Sequence, residues 1–93
     1  MLSLEGVRSG VFRVFTESGS GYTVDLTGGT LCREVASHPL RGDTVVLALL
    51  SVVYCKIGLG AVFVVQLPGV VGPTVRLTSL VTQILVIEDA EVA

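Results

Sequence analysis

The stretch Val45-Val46-Leu47-Ala48-Leu49-Leu50-Ser51-Val52-Val53-Tyr54-Cys55-Lys56-Ile57-Gly58-Leu59-Gly60-Ala61-Val62-Phe63-Val64-Val65 decides the fold. Its twenty-one residues carry one charge, Lys56, and a transmembrane helix needs about 20 mainly apolar residues. Length alone therefore admits a span. Three features favour two strands instead. Lys56 would lie near the bilayer centre, at a cost of ~2.5–3.5 kcal/mol. Gly58 and Gly60 flank Leu59 and signal a tight reversal. The residues on both sides are mostly β-branched or aromatic, which suits pleated backbone. No basic cluster flanks the stretch to orient it across a membrane. The expectation is a hairpin folded at Gly58-Leu59-Gly60.

Upstream, Gly10 to Thr16 reads as a first strand and Glu17 to Gly21 as a turn. Tyr22-Thr23-Val24-Asp25-Leu26 alternates cleanly, placing Tyr22, Val24 and Leu26 inward. Thr27-Gly28-Gly29-Thr30 is a second hairpin signal, and Leu31 to Val35 completes a meander. Ser37 to Thr44 reads as a polar surface loop. Its Arg41-Gly42-Asp43 is read as the turn that begins the next strand. Val45 to Lys56 is one long strand bent near Ser51, and Ala61 to Leu67 its partner. Pro68 to Pro73 is a wide turn. Thr74 to Leu77 and Val81 to Ile87 read as two last strands separated by Thr78-Ser79-Leu80, and residues 88–93 as a frayed acidic tail. Short strands with turns every 8–12 residues or so predict an all-β domain, a small antiparallel barrel or sandwich of five to seven strands with little helix.

Composition narrows the function. The 93 residues are room for one domain, since domains cluster at roughly 100–150 residues. The chain is 51% hydrophobic and 15% charged, with a mean hydropathy of +0.81, which excludes intrinsic disorder. Nothing at the N-terminus resembles a signal peptide, so a cytoplasmic location with reduced cysteines is expected, Cys32 and Cys55 being two free, buried thiols.

Catalytic constellations are thin. His38 is the only histidine, and with no repeated Cys/His spacing no zinc site is expected. Ser37, His38 and Asp43 adjoin in sequence, but a triad is recognised by geometry rather than adjacency. Glu88 and Asp89 sit in the tail, where a carboxylate is not desolvated and keeps an ordinary acidity. Gly19-Ser20-Gly21, Gly58-Leu59-Gly60 and Thr27-Gly28-Gly29-Thr30 lack the third glycine or the lysine of a phosphate loop and read as turns. The expectation is a non-enzyme without cofactor, metal or catalytic residues.

The central hairpin carries the functional signal. Val45 to Leu50 and Val62 to Val65 place apolar groups on both faces of a strand, whereas a small antiparallel sheet normally wets one face. A 93-residue domain removes only about two-thirds of its unfolded surface from water and cannot hide both. One outer face must be covered by a protein partner or a second copy of the chain, a homodimer. The expected contact residues are Val46, Leu50, Val53, Val62 and Val64, with His38, Arg41 and Asp43 of the loop as a rim. The alternative is a nucleic-acid-binding small barrel, with Arg8, Arg13 and Arg33 on one face beside Phe12, Phe15 and Tyr22. Residues 1–46 hold four arginines against five acids, so the uncompensated positive charge such binding needs is missing. The third reading is a small membrane protein spanning at 45–65.

Gly10-Val11-Phe12-Arg13-Val14, Ser18-Gly19-Ser20 and Tyr22-Thr23-Val24-Asp25-Leu26 resemble segments of short uncharacterised β-rich proteins of actinobacteria and actinobacteriophages. Leu40-Arg41-Gly42-Asp43 and Thr74-Val75-Arg76-Leu77-Thr78 share that flavour. One lysine, no asparagine and abundant valine, glycine and leucine suit a high-GC genome. The resemblance spans much of the chain without a catalytic motif. It implies a small β domain, a phage accessory protein binding or inhibiting a host protein in the host cytoplasm, and assigns no functional residue.

Overall fold

Gly58 turns the chain back at φ 92°, a left-handed conformation open to glycine without a Cβ penalty, and the apolar stretch on either side of it is two strands. The structure is a computed structural model that describes residues 1–34 and 45–88. Its strands are β1 (Val11–Thr16), β2 (Gly21–Asp25), β3 (Thr30–Glu34), β4 (Leu47–Tyr54), β5 (Gly60–Gln66) and β6 (Thr74–Glu88). Each pairs antiparallel with its successor, and β6 returns to pair with β1, so the six strands close into an up-and-down barrel. Closure gives every strand two neighbours and pairs most of the ladder that an open sheet leaves exposed at its edges. The all-β, small-barrel expectation holds, with no helix among the described residues.

The alternating sequence of the first three strands lands in the expected register. Val11-Phe12-Arg13-Val14-Phe15-Thr16 buries every second residue, and Val14 pairs with Tyr22 on one side and Ile84 on the other. Phe12, Val14, Val24, Leu31, Phe63 and Val65 fill the interior, each 2% exposed or less. Tyr22 and Phe63 meet with ring centroids 5.6 Å apart in a tilted arrangement that suits the quadrupoles of both rings.

Three expectations are corrected. The spanning-helix reading of 45–65 is replaced by β4, the Gly58 turn and β5. Among the described residues no helix is long and apolar enough to cross a membrane. The two last strands are one. Thr78, Ser79 and Leu80 lie inside a fifteen-residue β6 that pairs with β5 over its first half and with β1 over its second. The amide of Ala61 donates to Thr78 Oγ1 at 2.8 Å, and the amide of Glu17 to the Leu80 carbonyl at 2.9 Å, so polar residues that locally read as a break are tied on both sides. Cys55 is buried as expected, but Cys32 points outward opposite Thr23 and is half-buried; both are free thiols.

The bend expected near Ser51 is a pair of irregularities. The β4–β5 register shifts between Leu49 and Ser51 and again between Val52 and Tyr54, leaving Leu50 and Val53 as extra residues. Such bulges bend a strand and turn side chains outward. The β3–β4 seam is short, with Thr30↔Ala48 and Leu31↔Leu47 as its two pairs. Beyond it the N-terminal segment, unassigned from sequence, runs beside the end of β4. Leu4 N donates to Cys55 O at 2.9 Å and Ile57 N to Leu2 O at 3.0 Å, and buried Leu4 joins the core.

Candidate docking surface

The outward faces of β4, β5 and the first half of β6 form one apolar wall. Two cross-strand rows define it: Tyr54–Val62–Leu77 and Ser51–Val64–Val75. The bulged Leu50 and Val53 stand beside these rows, 55% and 60% exposed. Every side chain in the rows is uncharged.

The polarity of β6 is inverted where it joins this wall. Val75 and Leu77 are 58% and 70% exposed, while the alternate residues Thr74, Arg76 and Thr78 are half-buried. A strand packed on a core by its own hydrophobicity takes the opposite phase, and a one-residue slip would supply it. The slip is blocked. Leu77 is held against Val62 and Val75 against Val64, and Thr78 is fixed by its bond to Ala61 N.

Of the expected contact residues, the structure brings Leu50, Val53, Val62 and Val64 together on this wall, with Val62 and Val64 half-buried between their neighbours. Val46 is 64% exposed but precedes the first β4–β5 pair, Ala48↔Gln66, and stands at the far end. The rim residues His38, Arg41 and Asp43 lie outside the described residues. Tyr54, Val75 and Leu77 were not singled out from sequence; the alternation in Thr74-Val75-Arg76-Leu77-Thr78 was the available signal, but its phase needs the β5 register.

The arginine and aromatic residues weighed for nucleic acid do not share a face. Phe12 and Tyr22 are core residues, and Arg33 points inward, 7% exposed. Its Nη2 donates to Ser20 Oγ at 2.9 Å, and its guanidinium lies 6.0 Å from the Tyr22 ring centroid. Arg13 is outside, bridged to Glu34 at 2.7 Å and stacked 5.4 Å from the Phe15 ring centroid. The hydrogen bond and charge of Arg13 hold the Glu34 carboxyl below its ordinary pKa, which ties up the arginine's charge.

Burial pushes the Cys55 thiol up to about 11, so it is a neutral, unreactive group at physiological pH. Among the described residues no three His, Cys, Asp or Glu side chains gather as a metal site would require.

Comparison with protein-family models, with curated proteins and with solved structures returned no match for this chain.

Proposed function

We propose that the chain is a non-catalytic protein-interaction module whose β4–β5–β6 wall packs against a second copy of itself. The inverted β6 carries this reading: apolar Val75 and Leu77 face out while Thr74, Arg76 and Thr78 are tucked in. Leaving two aliphatic side chains wet forgoes ~1.5–3 kcal/mol each, which a covering surface recovers.

Size and charge support a self-contact. Leu50, Val53, Tyr54, Val62, Val64, Val75 and Leu77 together offer on the order of 500 Å² of apolar surface, near the top of what monomers expose. A standard interface takes about 800 Å² from each partner, the remainder coming from a polar rim. A two-fold contact sets a patch against itself, so like charges would oppose each other; this wall has none to oppose. The formal charge of −2 adds little long-range repulsion.

Exposed apolar residues continue along β6 at Leu85, Val86 and Ile87, but they do not encircle the barrel. Across the barrel β2 and β3 turn Thr23, Asp25, Thr30 and Glu34 away from the core, so these faces do not continue the apolar band that a membrane-spanning barrel wears all round.

Light scattering in detergent-free buffer tests the reading. The native chain is expected at twice its 9.7 kDa, and Leu77→Glu at 9.7 kDa with an unchanged fold. A native chain that stays at 9.7 kDa contradicts self-pairing and leaves the wall to a foreign protein, such as the host target that the sequence resemblance implies.

A further inference from the structure

Beside the short β3–β4 seam the barrel wall opens into a cleft of about 330 Å³ between β4, the N-terminal segment and the β2–β3 turn. Two backbone bonds bracket it along the outer edge of β4. Leu49 N donates to Gly29 O at 2.9 Å, and Cys55 O accepts from Leu4 N at 2.9 Å. Among the described residues, no backbone bond joins the intervening Leu50–Tyr54 to the turn or to the N-terminal segment. Five residues of strand span about 16 Å, the length over which an added peptide could form a short ladder.

The floor of the cleft is core laid open. Val7, Leu26, Leu49 and Val52 all line it, and each is a partly buried residue packed against the barrel core. An aliphatic side chain entering there would extend the core rather than sit on a polar surface. Among the described residues the charged ones at the cleft, Glu5 and Lys56, are of opposite sign, which favours an occupant without net charge. A strand edge with no backbone partner among the described residues, an apolar floor and balanced charge together describe an extended, uncharged peptide.

We propose that this cleft receives a segment of a foreign polypeptide in extended conformation, added as a strand to the free edge of β4, with one aliphatic side chain set against Val7, Leu26, Leu49 and Val52. The site adjoins the two-fold contact proposed above and shares Leu50, Ser51, Val53 and Tyr54 with it, whereas Leu77 does not line the cleft. The monomeric Leu77→Glu chain therefore keeps it.

A set of acetylated, amidated pentapeptides with Val, Leu, Ile or Phe at the centre and serine at both ends serves as the probe. Titration into isotope-labelled native protein and Leu77→Glu, followed by amide NMR, is expected to shift Leu50–Tyr54 in both and to slow hydrogen exchange at those of these amides that point away from β5. Because Val52 packs on the core and its replacement risks the fold, the peptide is altered instead. Methylating its central amide nitrogens removes donors while keeping the side chains, and is expected to weaken binding at least tenfold. Equal binding of the methylated peptide overturns strand addition, as does a set in which no peptide shifts these amides. Binding by Leu77→Glu with a monomeric native chain would contradict the dimer and leave the cleft standing; a dimer whose amides no peptide shifts would do the reverse.

Discussion

Val62 and Leu77 stand opposite each other as antiparallel partners on the outer wall of the barrel, and Leu77 is 70% exposed. The next pair along the same two strands is Phe63 with Arg76, where Phe63 is fully buried. Adjacent rungs of one ladder thus divide their chemistry against expectation: β5 is apolar on both faces, and the first half of β6 turns its apolar residues out. Because the register holds this arrangement in place, surplus apolar area on the outside is a property of the fold and not a fraying of it.

A charge placed on either side of this wall distinguishes the two faces. Leu77→Glu alters an exposed residue without core contacts, and exposed substitutions of this kind change stability by about 0.5 kcal/mol or less. Val65→Glu places a carboxyl in the interior, where it is either charged and unpaired or held protonated, at a cost of the same order as the ~5–15 kcal/mol that holds a small domain together. Circular dichroism and urea unfolding should find the first folded and the second unfolded.

Phe63→Ala should be the costliest of the conservative core truncations. The ring is fully buried and meets Tyr22 at 5.6 Å, so its loss removes both transfer energy and an aromatic pair. The expected loss is about 3–5 kcal/mol, read as a lower urea midpoint.

Gly60→Ala should weaken the joint between β5 and β6. A Cβ at this position would lie 2.6 Å from the Thr78 carbonyl oxygen, closer than any real contact, and that oxygen belongs to backbone that cannot swing aside. Destabilisation of about 1–3 kcal/mol is expected, with hydrogen-exchange protection lost first around Ala61 and Thr78.

Cys55 should make stability depend on alkaline pH, and the two thiols should differ in their reaction with reagent. With a folded-state pKa of about 11 against an ordinary 9.0, Cys55 stays protonated in the fold after it would ionise in the unfolded chain. Its contribution to stability is therefore complete below about pH 9 and declines as the pH rises towards 11. Cys55→Ala should flatten that part of the alkaline stability profile, measured by urea unfolding at successive pH values. In the native state a disulfide reagent at pH 8 should label Cys32 well before Cys55.

Local pattern made β1 to β3 readable, because Val11 to Thr16 and Tyr22 to Leu26 alternate and glycines mark the turns between them. The Gly58 reversal was readable for the same reason. What escaped the sequence depends on partners distant along the chain. Thr78 and Ser79 read as a break, yet the Ala61 amide and a change of neighbour from β5 to β1 carry the strand through them. The bulges that turn Leu50 and Val53 outward exist only relative to β5, and so does the outward phase of Val75 and Leu77. Leu50, Val53, Val62 and Val64 were legible as surplus apolar surface; Tyr54 and the β6 half of the wall required the register. The burial of Leu4 beside the end of β4 has no local signature, since its backbone partner is Cys55.

The most direct test locates the contact itself. A sample mixed from isotope-labelled and unlabelled native protein, recorded by filtered NMR, reports only proximity between copies. Intermolecular methyl contacts are expected among Val62, Val64, Val75 and Leu77, and none from interior Val14 or Val24. Intermolecular contacts confined to any other surface, or none at concentrations where a dimer of this area would be populated, would contradict the proposed self-contact.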